Sequence, residues 1–165
     1  IELPYDGAEF ASRAAQLVND DFAGTLGVNI IAQPKTIKSM GTAFDQFVES
    51  LRYGTVAINA WTGVAYLTAT ATWGAFPGHE LADVQSGIGV VHNALLISDT
   101  ERTVVRGPFR PSPRSLLNGE MSIAPKPPWF VTNRTAANTG RLLTLFTAAP
   151  SWRKLPALFA SALRG

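Results

Sequence analysis

The chain has 165 residues, 46% of them hydrophobic and 16% charged, with a net charge of +2 and no cysteine. That length and balance suit a single globular domain with a real core. They exclude a disulfide scaffold, a zinc–thiolate centre and a thiol nucleophile within these residues.

In chain order, Asp6 is placed to cap a first helix, with Glu9 three residues later forming a capping-box pair. Phe10, Ala14, Leu17 and Val18 then fall on one helical face. Gly24 stops this helix, and TLGVNIIA (Thr25 to Ala32) is a β-rich run ended by Pro34. A second unit repeats the plan. Phe44, Phe47, Val48 and Leu51 form an apolar helical stripe, Gly54 stops it, and TVAINAW (Thr55 to Trp61) is the strand. Two successive helix–strand units with continuous apolar strands predict an α/β protein with mainly parallel pairing.

Thr62 to Gly78 is rich in small and aromatic residues without a clear period, as a long functional loop would be. IGVVHNALLIS (Ile88 to Ser98) and RTVVRGPF (Arg102 to Phe109) read as strands, forming either a hairpin around Asp99-Thr100-Glu101 or one bent edge. Pro108 to Pro128 holds six of the 11 prolines and predicts a semi-rigid extended strap. The remainder reads as two short helices divided at Pro150, with Ser151 as a cap and Pro156 in the first turns of the second. The expected organisation is a first region over residues 1–106 and a proline-rich strap with a basic amphipathic helical tail over 107–165.

No complete catalytic set stands out. His79 and His92 are too far apart for a metal-ligand pattern and read as structural or surface residues. P-loop, G-x-S-x-G and G-x-G-x-x-G motifs are absent. Asp20 and Asp21, in the run Asn19-Asp20-Asp21, could act as an acid–base pair or bind a metal, but their place at a helix end reads better as a solvated turn. Asn133-Arg134-Thr135 is a glycosylation sequon that matters only in a secreted chain.

The order of the pieces is more informative. LVNDDFAGTLGVNII, followed by a helix and then Gly54-Thr55-Val56-Ala57-Ile58-Asn59, resembles the carboxyl-terminal part of the aldehyde dehydrogenase superfamily. That family has an A-N-D-x-x-x-G-L segment, a helix and a G-T-V-x-I-N strand in this order. TWGAFPG (Thr72 to Gly78) stands in the place of the family's P-F-G-G loop, with Trp73 where Phe is usual and Ala75 where Gly is usual. GIGVVHNALLI matches the apolar strand that builds the oligomer. The resemblance covers roughly residues 5–105.

It implies an α/β fold: the carboxyl-terminal portion of an aldehyde-dehydrogenase-like catalytic domain, with helix–strand repeats, an oligomerisation-type strand and a helical tail. The implied reaction is oxidation of an aldehyde to a carboxylic acid with NAD or NADP, through thiolate attack, hydride transfer and thioester hydrolysis. The nucleophilic Cys, the general-base Glu and the nucleotide-binding domain would all precede these residues, so the chain alone is expected to be inactive and to bind no cofactor. Asn59, Trp61, Trp73 and Phe76 would line the aldehyde pocket as substrate-binding wall. The implied partners are the rest of the parent polypeptide, further copies in a homo-oligomer and a small aldehyde. The alternative is a non-catalytic interaction or assembly module of similar fold.

The charge distribution adds one more expectation. Residues 1–100 carry four Lys/Arg against ten Asp/Glu, whereas residues 101–165 carry ten against two. The tail therefore lies on an acidic surface or reaches for an anionic partner. Its Arg141, Arg153, Lys154 and Arg164, mixed with Leu, Phe and Trp, suit an anionic membrane surface as well as packing against a neighbouring subunit. They lack the stacking platform expected of a nucleic-acid binder. The chain begins with Ile1 rather than Met, as a processed product or proteolytic piece would. No signal peptide or run of roughly 18 apolar residues is visible, and the expected compartment is cytoplasmic.

Overall fold

The computed structural model describes residues 1–121 and 124–165, so Ser122 and Ile123 of the expected strap lie outside the described residues. The chain forms two compact units, Ile1–Phe109 and Arg110–Gly165.

The first unit opens with helix α1 (Gly7–Asp20). Asp6 occupies the N-cap, yet its carboxylate makes no capping bond, so the expected capping box does not form. The first turn is closed by backbone alone, Phe10 N–H donating to the Asp6 carbonyl at 3.2 Å. The buried positions are Ala11 and Ala15, while Phe10 is 42% exposed. Two alanines on the inner face let α1 pack closely on the next helices, and the larger Phe10 is displaced to the rim. At its other end, Asn19 donates to the Ser50 carbonyl and accepts from Arg52 N–H, both at 2.8 Å. Asp20 pairs with Arg52 beside it. The acidic run thus ties two helix ends together.

Strand β1 (Gly27–Ile30) leads through α2 (Pro34–Met40) and α3 (Thr42–Ser50) to β2 (Thr55–Ile58). Pro34 starts a helix as well as ending a strand, because a first-turn residue needs no amide hydrogen. Gly41, at φ 54°, separates α2 from α3. After β2 come α4 (Gly63–Leu67), β3 (Trp73–Gly74), β4 (Val90–Val91) and β5 (Thr103–Arg106). The main sheet is parallel in the order β1-β2-β5, with Gly27 opposite Thr55 and Ile58 opposite both Ile30 and Arg106. All four β2 residues are buried, as a central parallel strand covered on both faces requires. Val56 and Ile58 join Phe44, Val48, Leu51 and Tyr53 in the core beneath the helices. Thr55 and Ala57 point to the opposite face. There α4 packs near β5 with Gly63 and Ala65 buried.

Two expectations are corrected. Ile88–Ser98 is not an extended strand: only Val90–Val91 pair, antiparallel to Trp73–Gly74. His92 and Leu96 take φ values of 61° and 51°, and the Asn93 side chain closes a turn by accepting from Ile97 N–H at 2.9 Å and donating to its carbonyl at 2.8 Å. Side-chain capture of the backbone there outcompetes a ladder, so the oligomerisation-type strand is reduced to two residues. Nor does this stretch form a hairpin with the next one, since β5 pairs parallel to β2.

The amino edge of the sheet is crowded. The Thr25 carbonyl accepts from Gly54 N–H at 2.9 Å and Phe76 N–H at 3.1 Å, and the Gly54 carbonyl accepts from Thr103 N–H at 2.9 Å. A Cβ on Gly54 would lie 1.9 Å from the Gly74 carbonyl oxygen. Arg102 locks the same edge. Its guanidinium donates to the Val48 and Leu51 carbonyls at 2.9 and 2.7 Å, pairs with Glu101 and lies 5.2 Å from the Phe76 ring centroid. Arg102 thereby satisfies carbonyls that end α3.

The second unit contains α5 (Arg114–Leu117), α6 (Ala136–Ala148), a 3-10 turn (Trp152–Lys154) and α7 (Leu155–Leu163). Ser151 caps the turn by accepting from Arg153 N–H at 3.4 Å. Lys154 donates to the Leu145 and Ala149 carbonyls at 2.7 Å, finishing α6. The proline-rich stretch is interrupted by α5 rather than extended throughout.

Two outcomes follow for stability. Gly54→Ala, which drives a methyl into backbone, is expected to cost about 3 kcal/mol in urea unfolding. Tyr53 donates its hydroxyl to the Val18 carbonyl at 2.8 Å, and burial raises its pKa above the usual 10.0. With the folded pKa above the unfolded one, this contribution is complete below pH 10.0 and is lost as pH rises through the folded value. Denaturation from neutral to strongly alkaline pH should show that decline in the wild type and a shallower one in Tyr53→Phe.

Candidate functional site

In an open parallel sheet the carboxyl ends of the strands are the usual place for a ligand. Here β2 ends at Asn59, which takes the left-handed conformation at φ 52°. Its backbone N–H donates to the Ile30 carbonyl at 2.8 Å. Its side chain then grips the next residue of the neighbouring strand twice, accepting from Ala32 N–H at 2.9 Å and donating to the Ala32 carbonyl at 2.8 Å. The amide copies a further ladder pair after the backbone has turned away. Asparagine suits the position because it tolerates positive φ and carries a donor and an acceptor side by side.

This grip leaves Ile31 to Gln33 standing over a groove of about 550 Å³. Tyr5, Phe10, Ile30, Met40, Phe44 and Phe47 supply its apolar walls. Asp6, Gln33 and Thr36 add polar groups at the start of α1 and α2. The lining suits a flat, apolar molecule with one or two polar atoms. It contains no thiol or imidazole, so it can bind and orient but cannot supply a nucleophile of those kinds. Among the described residues no three His, Cys, Asp or Glu side chains converge as a metal site would require.

The four side chains singled out from the sequence stand in different settings. Asn59 stands at the carboxyl edge with its amide engaged by Ala32. Trp61 is 49% exposed, and a Cβ on Gly63 would lie 2.4 Å from its ring. Trp73 packs edge-on against Tyr66 at 5.6 Å between ring centroids, and Tyr66 in turn lies 4.8 Å from the His92 ring. Phe76 sits under Arg102 at the amino edge, separated from Asn59 by the length of a four-residue strand, about 13 Å.

The groove was illegible in the sequence because its walls come from four separate segments. Phe10 was the one signal: a large aromatic on a helix whose buried positions are alanines. A second pair also escaped notice. Thr25 Oγ1 lies 2.7 Å from His79 Nε2, and Thr25 N–H donates to Ser86 Oγ at 2.8 Å. These bonds fasten the loop after β3 to the start of β1. The residues are 54 and 61 positions apart, a separation that carries no local pattern.

No family model matches the chain, and no curated protein or solved structure matches it.

Asn59→Ala should lose both side-chain bonds and place a β-carbon in the left-handed region, lowering stability by about 3 kcal/mol. Asn59→Gly should lose the bonds without the strain, and so should be less damaging by about 1 kcal/mol. Equilibrium denaturation of both variants checks the order.

Proposed function

We propose that residues 1–165 are the carboxyl-terminal part of an NAD(P)-dependent aldehyde dehydrogenase and contribute substrate-pocket wall and subunit contacts. One observation carries the reading. The two stretches that resemble the family, around GTLGVNI and YGTVAIN, lie side by side as parallel strands joined through helices, in an unbroken four-residue register. The pairing agrees with the order that the resemblance implies, and it is a pairing that helix–strand repeats in general share.

In this reading Asn59 positions rather than touches substrate. Its grip on Ala32 fixes the exit of β2 and so the placement of Trp61. Trp61, half-exposed just beyond that exit, is the side chain best placed to offer an aromatic wall to an apolar aldehyde. Trp73, braced by Tyr66, is a second wall residue.

The turns after β1 and β2 do not fit a dinucleotide. The segment after β1 reads Ile31-Ala32-Gln33-Pro34 and that after β2 reads Asn59-Ala60-Trp61, where close approach of a pyrophosphate calls for glycines. The cofactor, which would accept the hydride, is therefore assigned to other parts of the parent polypeptide, together with the cysteine nucleophile. The part played by residues 1–165 is to shape the pocket and exclude water from it.

The test is NAD(P)-linked oxidation of a panel of aliphatic and aromatic aldehydes by the intact polypeptide. Turnover is expected, with Trp61→Ala raising KM roughly tenfold at little change in kcat, as loss of uniform binding does. An intact polypeptide that folds, carries a cysteine able to reach this sheet edge and still oxidises none of the panel would rule the reading out.

A further inference from the structure

We propose that the second unit docks on an anionic lipid surface through the α6–α7 hairpin. The argument starts from how that hairpin is held together. Thr139 Oγ1 and Ser161 Oγ are 2.9 Å apart, Asn138 donates to Ser161 Oγ at 2.8 Å, and Thr135 Oγ1 donates to the Ser161 carbonyl at 2.7 Å. Small polar residues thus join the two helices directly, while Leu142, Phe146, Leu155, Leu158 and Leu163 are half-buried. Among the described residues of this unit the most deeply buried are Ser115, Thr139 and Ser161. A second apolar set stays in solvent: Phe130, Val131, Leu143, Leu145, Trp152 and Phe159 are all exposed.

Exposed apolar side chains on short helices, with cations beside them, suit a lipid surface. Helix α7, LPALFASAL, carries no charge at all. With 13 and 9 residues, α6 and α7 reach about 20 and 14 Å, short of the roughly 30 Å hydrocarbon layer. No helix among the described residues is long and apolar enough to cross a membrane. The hairpin therefore lies on a bilayer rather than through it.

Charge selects the kind of surface. Residues 110–165 hold eight Lys/Arg against the single acid Glu120, a net of +7. Arg134, Arg141, Arg153 and Arg164 are exposed and make no ion pair among the described residues. Trp152, 87% exposed, stands beside Arg153 in the turn between the helices. An indole next to a guanidinium is suited to the headgroup layer, where the ring enters and the cation stays among phosphates. A protein partner would be served by the apolar residues alone. The unpaired arginines around them favour phosphate-rich lipid.

The experiment is co-sedimentation of the intact polypeptide with phosphatidylcholine vesicles and with the same vesicles carrying phosphatidylglycerol. Binding to the anionic vesicles is expected to be roughly tenfold stronger than to the neutral ones and to be released by about 0.5 M salt. Trp152→Ser, and separately the pair Arg141→Glu and Arg153→Glu, should each weaken it roughly tenfold with an unchanged circular dichroism spectrum. All three positions are exposed, so folding is not at stake. Equal binding to both vesicles, or binding indifferent to these substitutions, overturns the proposal. So does absence of vesicle binding together with a Trp152→Ser variant that dissociates an oligomer in light scattering, since the face would then be a protein interface. Sedimentation is scored without turnover, so this result and the enzymatic one stand or fall separately.

Discussion

A central parallel strand can sit in an apolar interior only if its backbone groups find partners on its neighbours, and β2 does so between β1 and β5. The condition is hardest to meet at the ends, where the chain must leave the sheet without abandoning its hydrogen bonds. At the amino end Gly54 donates to Thr25 and accepts from Thr103, in a space where the Gly74 carbonyl leaves no room for a side chain. At the carboxyl end Asn59 turns the backbone away and replaces it with its own amide. Helices α1 to α3 on one face and α4 on the other depend on a strand fixed at these two points.

The helix–strand alternation was legible because it is a local matter. The apolar stripe of Phe44 and Val48 and the continuous run after Gly54 are readable within a few residues, although the helix ends at Ser50, ahead of the glycine, and the strand ends at Ile58 rather than Trp61. The stretch Ile88–Ser98 misled for the same reason. Its composition is that of a strand, but the Asn93 side chain offers the backbone a nearer partner than a neighbouring strand could. Phe10 failed as a core residue because the helix packs through its alanines. The contacts joining Thr25 to His79 and Arg102 to Val48 cross more than fifty positions and have no signature in the sequence.

The candidate site was legible in part. Asn59 drew notice as a polar residue at the end of an apolar strand. The reason for its presence is structural, because both halves of its amide are committed to Ala32. Trp61 keeps the exposure that a wall residue needs, whereas Phe76 belongs to the opposite edge of the sheet. The groove beneath Ile31 to Gln33 has an apolar lining and lies beside the same strand ends, so the two features share one edge of the unit.

The hydrogen-bonded seam of the α6–α7 hairpin has a consequence for what its surroundings can be. Helices held together by the expulsion of water lose that drive once an apolar phase surrounds them. Bonds among Thr135, Asn138, Thr139 and Ser161 behave in the opposite way, gaining strength as the local dielectric falls. This part of the pairing therefore does not depend on the expulsion of water, unlike the contribution of the half-buried Leu142, Phe146, Leu155 and Leu158.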